Sequence, residues 1–260
     1  MPLDTSTYHL ALLRLDGRRW NELRRLHAQI STQASADGSS YLEMGNTKVI
    51  CTIAGPAEVR GAARREGAER DNAVVTVEIG IAGFSGVDRR GGGGGGGKGR
   101  GDKRTTEMQN TIASAFQSTL FTHLYPHSTI TISLHILSQD GSLLAACLNA
   151  ATLALIDAGV PMSDYIVACT SGLTPPKSGT ESADPLLDLN GMEEQELPWL
   201  TVGTLGAGER VSVLVLESRV QVGRLEGMLA VGVDGCKQVR EILDGVVRRQ
   251  GKRVLESVIS

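Results

Sequence analysis

The chain has 260 residues, of which 41% are hydrophobic and only 3% aromatic. It is long enough to bury a full core, as one large domain or two fused halves, and that core must be built from Leu, Val, Ile and Ala. The net charge of −3 argues against general coating of nucleic acid, but residues 60–104 hold ten Lys and Arg against six Asp and Glu. This basic segment predicts a local contact with a polyanion, and a solvated pair of arginine-rich loops is the alternative.

The cysteines occur singly inside apolar runs, without a CxxC motif or a paired histidine. We therefore expect buried thiols in a reducing compartment rather than disulfides or a zinc site. The first residues lack a basic region followed by an apolar one, so a secretory signal is not expected, and no apolar helix is long enough to predict a membrane span. The chain is expected to be intracellular and soluble. The cysteines are Cys51, Cys147, Cys169 and Cys236.

In chain order, the first predicted elements are strands at 42–44, 48–54 and 73–81, the first two joined by a turn at Gly45 and Asn46. A glycine- and arginine-rich segment follows at about 85–103 and contains seven consecutive glycines. Packing cannot repay the entropy of ordering such a run, so the segment is expected to be a flexible loop.

A helix is predicted next, from about 105 to 124, because apolar side chains recur every four residues on one face. A half-buried strand follows at 129–138, where apolar and polar residues alternate strictly. The apolar helix face is Met108, Ile112, Phe116 and Leu120, and the apolar strand face is Ile130, Ile132, Leu134 and Ile136.

The stretch 138–162 predicts the end of this strand, a tight turn at Asp140 and Gly141, and a helix from Ser142 to about Ala158. A helix N-terminus reached through glycine exposes backbone N–H groups and the positive end of the helix dipole, which suits a phosphate. The next side chain, where a cation would hold the anion, is Leu143.

The second half repeats the arrangement, with strands predicted at 165–172, 186–190, 199–205 and 211–217 and a long helix at 223–258. Each half would be a mixed sheet covered by helices. The fold class predicted from this pattern is α+β.

The histidines are weak candidates for chemistry. His123 and His127 have helical spacing, but Pro126 between them interrupts the helix that would align them, and the other three have no partner nearby in the sequence. We expect neither a metal site nor a general-base histidine.

A run of acidic residues is a second candidate. Carboxylates at the end of a strand can hold Mg²⁺ or act as a general acid. On composition alone, a solvated loop is the commoner outcome for such a run. Its members are Asp184, Asp188, Glu193, Glu194 and Glu196.

A third candidate is Lys103, Arg104 and Thr105, just before the helix predicted to begin at 105. Two cations and a hydroxyl at a helix N-terminus make a strong phosphate site, because charge-assisted hydrogen bonds act together with the dipole. The alternative is a pair of surface charges with Thr105 as a simple cap. A weaker basic cluster comprises Arg60, Arg64, Arg65 and Arg70.

Five segments, in this order, resemble the RNase PH family of phosphate-dependent 3′→5′ exoribonucleases, and within it the eukaryotic exosome ring subunits of the ribosomal-RNA-processing or superkiller type. The resemblance implies the RNase PH fold (ribosomal protein S5 domain 2-like), with two pseudo-symmetric halves in a single domain over 1–260. It also implies a six-membered ring of paired subunits with RNA threading through it. The segments are LDGRRWNELRRL, DGSSYLEMGNTKVICTIAGP, KRTTEMQNTIASAF, QDGSLLAACLNAATLALIDAGVPM and DLNGMEEQ.

The resemblance also implies where an active site would lie, and this chain departs from it. Active members carry Arg after Gly-Ser or Gly-Thr to bind the attacking phosphate, whereas Leu143 follows Ser142 here. An Asp is expected six residues after the Asp of DLN, where this chain has Glu194, and a second Asp six residues later, where it has Leu200. Lys103 and Arg104 match family positions that contact RNA or phosphate.

The leading hypothesis is therefore a non-catalytic structural and RNA-channel subunit of the RNA exosome, which supports RNA processing and degradation without a cofactor or metal. Lys103, Arg104, Arg64 and Arg65 would guide single-stranded RNA. The implied partners are other RNase PH-like subunits, S1/KH cap subunits and an attached hydrolytic exoribonuclease. The implied locations are the nucleus, the nucleolus and the cytoplasm, away from membranes.

Two alternatives remain open on the sequence. One is an active phosphorolytic exoribonuclease in which Glu194 replaces the family's Asp and another arginine supplies the missing cation. The other is a free-standing RNA-binding module that uses the arginine–glycine loop at 89–101, since such segments bind RNA without an enzyme fold around them.

Overall fold

The computed structural model describes residues 13–58, 72–86, 100–174, 184–206 and 208–259. The first half contains strands β1 (Leu26–Ile30), β2 (Gly38–Met44), β3 (Thr47–Glu58) and β4 (Val74–Ile81), helix α1 (Arg100–Thr119), a 3₁₀ turn (Thr122–Leu124) and strand β5 (Ser128–Ser138). Helix α2 (Leu143–Asp157) leads into the second half. That half contains β6 (Ile166–Leu173), β7 (Pro185–Leu187), α3 (Gly191–Glu196), β8 (Trp199–Leu205), β9 (Val211–Leu216) and α4 (Val222–Ile259).

The strands form two sheets, one in each half of the chain. The first has five strands in the order β1-β2-β3-β5-β4, with β4 parallel to β5 and the other pairs antiparallel. The second has four strands in the order β7-β6-β8-β9, all antiparallel. Helix α1 packs on the first sheet and α4 on the second, so the two halves predicted from the sequence are confirmed as an α+β arrangement.

Helix α2 lies between the two sheets and contacts β2 and β3 on one side and β6 on the other. It is apolar around nearly its whole circumference, as expected for a helix that meets no solvent. Its polar side chains Asn149 and Thr152 are buried and bonded to β6. Asn149 exchanges two hydrogen bonds with the backbone of Ala168, at 2.8 and 2.9 Å, and Thr152 Oγ1 donates to Ile166 O at 2.7 Å.

These bonds have a clear physical cause. Strand β7 pairs only with residues 171–173 of β6, so no strand among the described residues pairs with the backbone groups of β6 near Ala168 on that side. An unbonded backbone group in a core costs free energy, and the side chains of α2 satisfy these groups. The two halves are thereby joined by specific polar contacts as well as by apolar packing.

Most predicted elements are confirmed, with some shifted boundaries. The strand at 129–138 alternates between buried and half-buried residues as predicted, and the four cysteines are buried. Helix α1 begins at Arg100 and ends at Thr119, five residues earlier at each end than predicted. The loop predicted at about 85–103 therefore extends too far, because residues 100–103 belong to α1. Residues 87–99, which include the seven glycines, lie outside the described residues.

Two predictions about the elements were wrong. Strand β1 was missed, because LHAQI mixes polar and apolar residues without clean alternation. The strand predicted at 186–190 ends at Leu187, and Asn190 instead begins the six-residue helix α3. Within the residues that the structure describes, no helix is long and apolar enough to cross a membrane.

Candidate functional site

The turn between β5 and α2 packs directly against the segment that precedes α3. Gly141 has φ +76°, and a Cβ at this position would lie 2.6 Å from Leu189 O and from the carbonyl carbon of Asn190. Only glycine satisfies both the left-handed backbone and the close approach. The turn and the acidic segment therefore form one structural unit, although they are some 50 residues apart in the chain.

Ser142 connects the two parts of this unit. Its backbone N–H donates to Glu194 Oε1 at 2.5 Å, and its hydroxyl lies 3.0 Å from Asp188 Oδ1 and 3.1 Å from Leu189 O. Ser142 stands at the N-cap position of α2, but its backbone is left-handed and its side chain bonds no N–H of the helix. The expectation that Ser142 serves as an ordinary N-cap was wrong, because the acidic segment takes its hydroxyl instead.

Asp188 is the buried centre of the acidic segment. Its two carboxylate oxygens accept hydrogen bonds from Arg24, one from the guanidinium at 2.8 Å and one from the backbone N–H at 2.9 Å. Burial alone would raise the pKa of Asp188, but the charge and hydrogen bonds of Arg24 outweigh burial and lower that pKa. Asp188 is therefore an ionised structural anchor, already fully engaged by the chain.

Glu193 is also used by the structure. It forms a capping box with Asn190, in which each side chain accepts from the other's backbone N–H, at 2.9 and 3.0 Å. Its carboxylate is paired with Arg14, whose guanidinium also donates to the carbonyls of Leu187 and Asp188. Arg14, Leu187, Asp188 and Glu193 are buried, and Asn190 is half-buried. The solvated loop expected from composition is wrong for Asp188 and Glu193, while Glu196 is exposed.

Glu194 is the one carboxylate of α3 that faces the turn before α2. Burial raises the pKa of Glu194 to about 7, although the Ser142 N–H and the charges of Arg24 and Arg104 oppose the rise. Its Oε1 lies against the N–H that a bound anion would use at this end of α2. The sequence predicted a phosphate site at the N-terminus of α2, formed by the turn at Gly141 and Ser142, which we call the anion seat. This seat is therefore occupied by a carboxylate of the same chain.

Both leucines at the positions where the resemblance implies an arginine and an acid pack in the interior. Leu143 is half-buried and packs against the main core, so it presents an apolar side chain where a cation was sought. Leu200 is fully buried in β8. Neither position can donate a hydrogen bond or ionise.

Of the basic candidates, the structure describes Lys103 and Arg104, and it does not place them as predicted. Lys103 and Arg104 are exposed and sit inside α1, four and five positions along the helix rather than before it, so a capping role for Thr105 was wrong. Arg104 Nη2 lies 3.0 Å from Glu217 Oε2, and both side chains are about half exposed. Arg60, Arg64, Arg65 and Arg70 lie outside the described residues, as do residues 89–99 of the arginine–glycine loop.

Sequence reasoning missed the arginines that hold the unit together. Arg14 and Arg24 reach the acidic segment from more than 160 residues away. Their only signal in the sequence is the density of arginine in RLDGRRWNELRRL, residues 14–26, which would suit a match to a distant acidic run. Among the histidines, His123 packs edge-on against Phe121, and within the described ranges no group of His, Cys, Asp and Glu could hold a metal.

Comparison with known proteins adds family evidence. The sequence model described as the 3′ exoribonuclease family, domain 1 (RNase PH), matches residues 22–161. The chain is 37% identical to the exosome complex component SKI6 of Saccharomyces cerevisiae, over 93% of this chain and 92% of that protein. It is 38% identical to the exosome complex component RRP41 homolog of Arabidopsis thaliana, over 93% and 94%. It is 37% identical to human exosome complex component RRP41, over 91% of each chain.

Solved structures share the fold at lower identity. Rice Rrp46 matches with a TM-score of 0.72 and 22% identity, covering 90% of this chain and all of that one. An archaeal exosome core matches with a TM-score of 0.70 and 18% identity, covering 92% and 94%. An Archaeoglobus fulgidus exosome with RNA bound to the active site matches with a TM-score of 0.68 and 19% identity, covering 90% and 94%.

Proposed function

The chain belongs to the 3′ exoribonuclease (RNase PH) family, and from this premise we propose that it is a non-catalytic ring subunit of an RNA exosome. Its relatives named as exosome components cover more than nine-tenths of the chain, which supports a place among other RNase PH-like subunits. In that place it contributes structure and a channel wall to RNA processing and degradation, such as ribosomal RNA maturation and mRNA turnover.

The observation that carries the non-catalytic role is the state of the anion seat at the start of α2. A phosphate nucleophile needs a cation and free N–H donors. Here Leu143 supplies no charge, and the Ser142 N–H donates to Glu194 Oε1. A carboxylate at that place repels phosphate whenever it is ionised. The carboxylate of Glu194 therefore occupies the anion seat and, when ionised, opposes the binding of phosphate there.

The two acidic residues that active members of the family carry are also replaced in this chain. Glu194 stands where active members carry Asp, and its side chain is one methylene longer. A misplacement of about 1 Å is enough to cost on the order of 10²-fold in rate. Leu200 replaces the second acid with a core side chain. These substitutions act on different steps, so restoring one of them alone is not expected to restore the reaction.

RNA contact is retained in this proposal. Lys103 and Arg104 are exposed neighbours in α1, and the charge of Arg104 reaches Glu194, which supports a place for Arg104 beside the anion seat. Exposed cations beside a channel hold a phosphate backbone without reading its sequence. Arg64 and Arg65 are proposed to extend this contact.

The RNA role is tested in the reconstituted complex with the double substitution Lys103→Glu and Arg104→Glu. RNA protection from nuclease is expected to fall on the order of tenfold at physiological salt, and the ring is expected to remain assembled. The matched control is Arg210→Glu with Lys237→Glu, which makes the same charge change near the opposite end of β9. Equal protection by the two double variants would rule out guidance by Lys103 and Arg104.

The remaining partners and the location follow from the same proposal. S1/KH cap subunits and an attached hydrolytic exoribonuclease would bind the ring, which would act in the nucleus, the nucleolus and the cytoplasm. Purification through a tag on this chain, followed by identification of the recovered subunits from each compartment, tests these assignments. Recovery of the chain without any RNase PH-like subunit would overturn them.

One observation favours a second candidate, an active phosphorolytic exoribonuclease. A carboxyl with a pKa of about 7 can donate a proton near neutral pH, as a general acid must. Arg104 would then supply part of the missing phosphate charge. This candidate requires nucleoside diphosphates to be released only with inorganic phosphate, and Glu194→Gln to abolish the release.

A further inference from the structure

A groove of about 570 Å³ lies between β1 and the C-terminal part of α4, where its lining residue Ser31 contacts Asp157 at the opposite end of α2 from the anion seat. One wall consists of six consecutive residues, 27–32, and the other of residues on one face of α4. Alternate residues of a strand point to opposite faces of its sheet, so six consecutive lining residues mean that the groove follows the edge of β1 rather than one face. Its volume falls within the ~300–1,000 Å³ typical of binding sites.

The edge of β1 that faces the groove is unpaired. Strand β1 is the outermost strand of its sheet, and within the described ranges only β2 pairs with it. Ser31 N donates to Ser39 O at 2.9 Å, and Gly45 N donates to Arg25 O at 2.8 Å. Because hydrogen-bonded pairs recur every second residue in an antiparallel ladder, 25, 27, 29 and 31 face β2. The N–H and C=O groups of Leu26, Ala28 and Ile30 therefore point away from it.

The charge of the groove is positive. Arg249 and Arg253 line it from α4, and no acidic side chain is among the residues that line it. The arginines belong to the sequence RRQGKR at 248–253, which holds four cations and no acid in a chain with a net charge of −3. At the end of β1, Gln250 Nε2 donates to Ser31 Oγ at 3.2 Å, and Ser31 Oγ donates to the carboxylate of Asp157, so two arginines stand against one nearby carboxylate. An anionic occupant is favoured.

The lining also distinguishes between classes of anionic polymer. Single-stranded RNA is held by cations together with aromatic side chains on which bases stack, and the lining of this groove contains no Phe, Tyr or Trp, only the His27 ring, whose Nε2 lies 3.0 Å from Gln29 Nε2. An extended polypeptide uses what the groove does offer, a row of alternating backbone donors and acceptors. We propose that the groove binds an extended acidic segment of another protein, which adds as a strand to β1 and places its carboxylates against Arg249 and Arg253.

This site is independent of the anion seat and of the proposed role in RNA passage. It is tested with the full chain and a fluorescein-labelled ten-residue peptide that alternates Glu with Thr, followed by anisotropy. The double substitution Arg249→Glu and Arg253→Glu is expected to weaken binding on the order of tenfold or more. The same peptide with alternate residues N-methylated lacks the N–H donors along one edge. It is expected to bind the unaltered protein as weakly as the unmethylated peptide binds the double variant.

The matched control is Arg248→Glu with Lys252→Glu, which makes the same charge change on the same turns of α4 outside the groove lining. This control variant is expected to keep most of its affinity for the labelled peptide. Three results would each overturn the proposal: equal weakening by both double variants, binding that is insensitive to N-methylation, or an oligouridine probe that binds more tightly than the peptide and depends on Arg249 and Arg253.

Discussion

The carboxylate of Glu194 is the residue on which the site depends most. It is largely buried, it accepts from Ser142 N–H, and two arginines act on it from a distance, yet burial dominates and raises its pKa to about 7. At neutral pH the group is therefore divided between its charged and neutral forms. The charged form of Glu194 occupies the anion seat by accepting from Ser142 N–H, whereas burial favours its neutral form.

This raised pKa makes stability depend on pH in a defined direction. The folded chain holds the proton of Glu194 up to about pH 7, whereas the unfolded chain releases it near its ordinary value of 4.5. The free energy of unfolding from this group is therefore greatest below pH 4.5 and falls as pH rises toward 7, by on the order of 2–3 kcal/mol. Glu194→Gln fixes a neutral side chain and is expected to gain that much relative to the wild type at pH 8.

Urea unfolding of both proteins at pH 5 and at pH 8 measures this difference. The wild type is the matched control, because every other titrating group is shared. Parallel pH profiles for the two proteins would contradict the raised pKa of Glu194.

Arg14 provides a second residue-scale prediction. It is 5% exposed and pairs with the buried Glu193, so Arg14→Met leaves a buried carboxylate without its counter-ion. The expected loss in the free energy of unfolding is about 3–5 kcal/mol. Arg104→Met is the control, because its pair with Glu217 is exposed and is expected to contribute less than about 1 kcal/mol. Equal losses measured by urea unfolding would contradict the structural role of Arg14.

At the scale of elements, the site depends on the contact between the turn before α2 and the segment before α3. Gly141 and Gly159 stand just outside the two ends of α2, both with left-handed backbones, at φ +76° and +67°. A Cβ at Gly141 would collide with backbone atoms of the acidic segment, and a Cβ at Gly159 would meet nothing within 4 Å. A comparison of the two glycines therefore separates the free-energy cost of backbone strain from the cost of a steric collision.

Gly159→Ala is expected to cost about 1 kcal/mol, from strain alone. Gly141→Ala is expected to cost at least about 2 kcal/mol more, because the acidic segment must move away and its bonds to Ser142 are lost. Thermal unfolding of the two variants compares them directly. A similar loss for both would show that the turn does not depend on its contact with the acidic segment.

How far the elements could be predicted depended on periodicity. The strand at Ser128–Ser138 and helices α2 and α4 follow long apolar patterns and were predicted within a residue or two. Helix α3 has only six residues, too few for a helical period, and its start at Asn190 depends on the capping box with Glu193. The contact of Arg14 with Glu193 spans 179 residues, which no local pattern predicts.

At the scale of the whole molecule, the two sheets and the helix between them bring opposite ends of the chain to one place. The segment around Arg14 and Arg24 and the segment around Asp188 meet beside the turn before α2, so the site is a product of the fold. The sequence and its family resemblance indicated Ser142, Leu143 and Glu194 as the positions that matter. Their mutual contacts, and the occupation of the seat by Glu194, required the structure.

In the proposed function, this chain supports RNA degradation in a ring without performing phosphorolysis. The most direct test supplies labelled single-stranded RNA and Mg²⁺ to the native complex recovered through a tag on this chain, with and without inorganic phosphate. We expect nucleoside monophosphates independent of phosphate, or no products at all. Nucleoside diphosphates that appear only with phosphate, and disappear when the chain carries Glu194→Gln, would contradict this expectation.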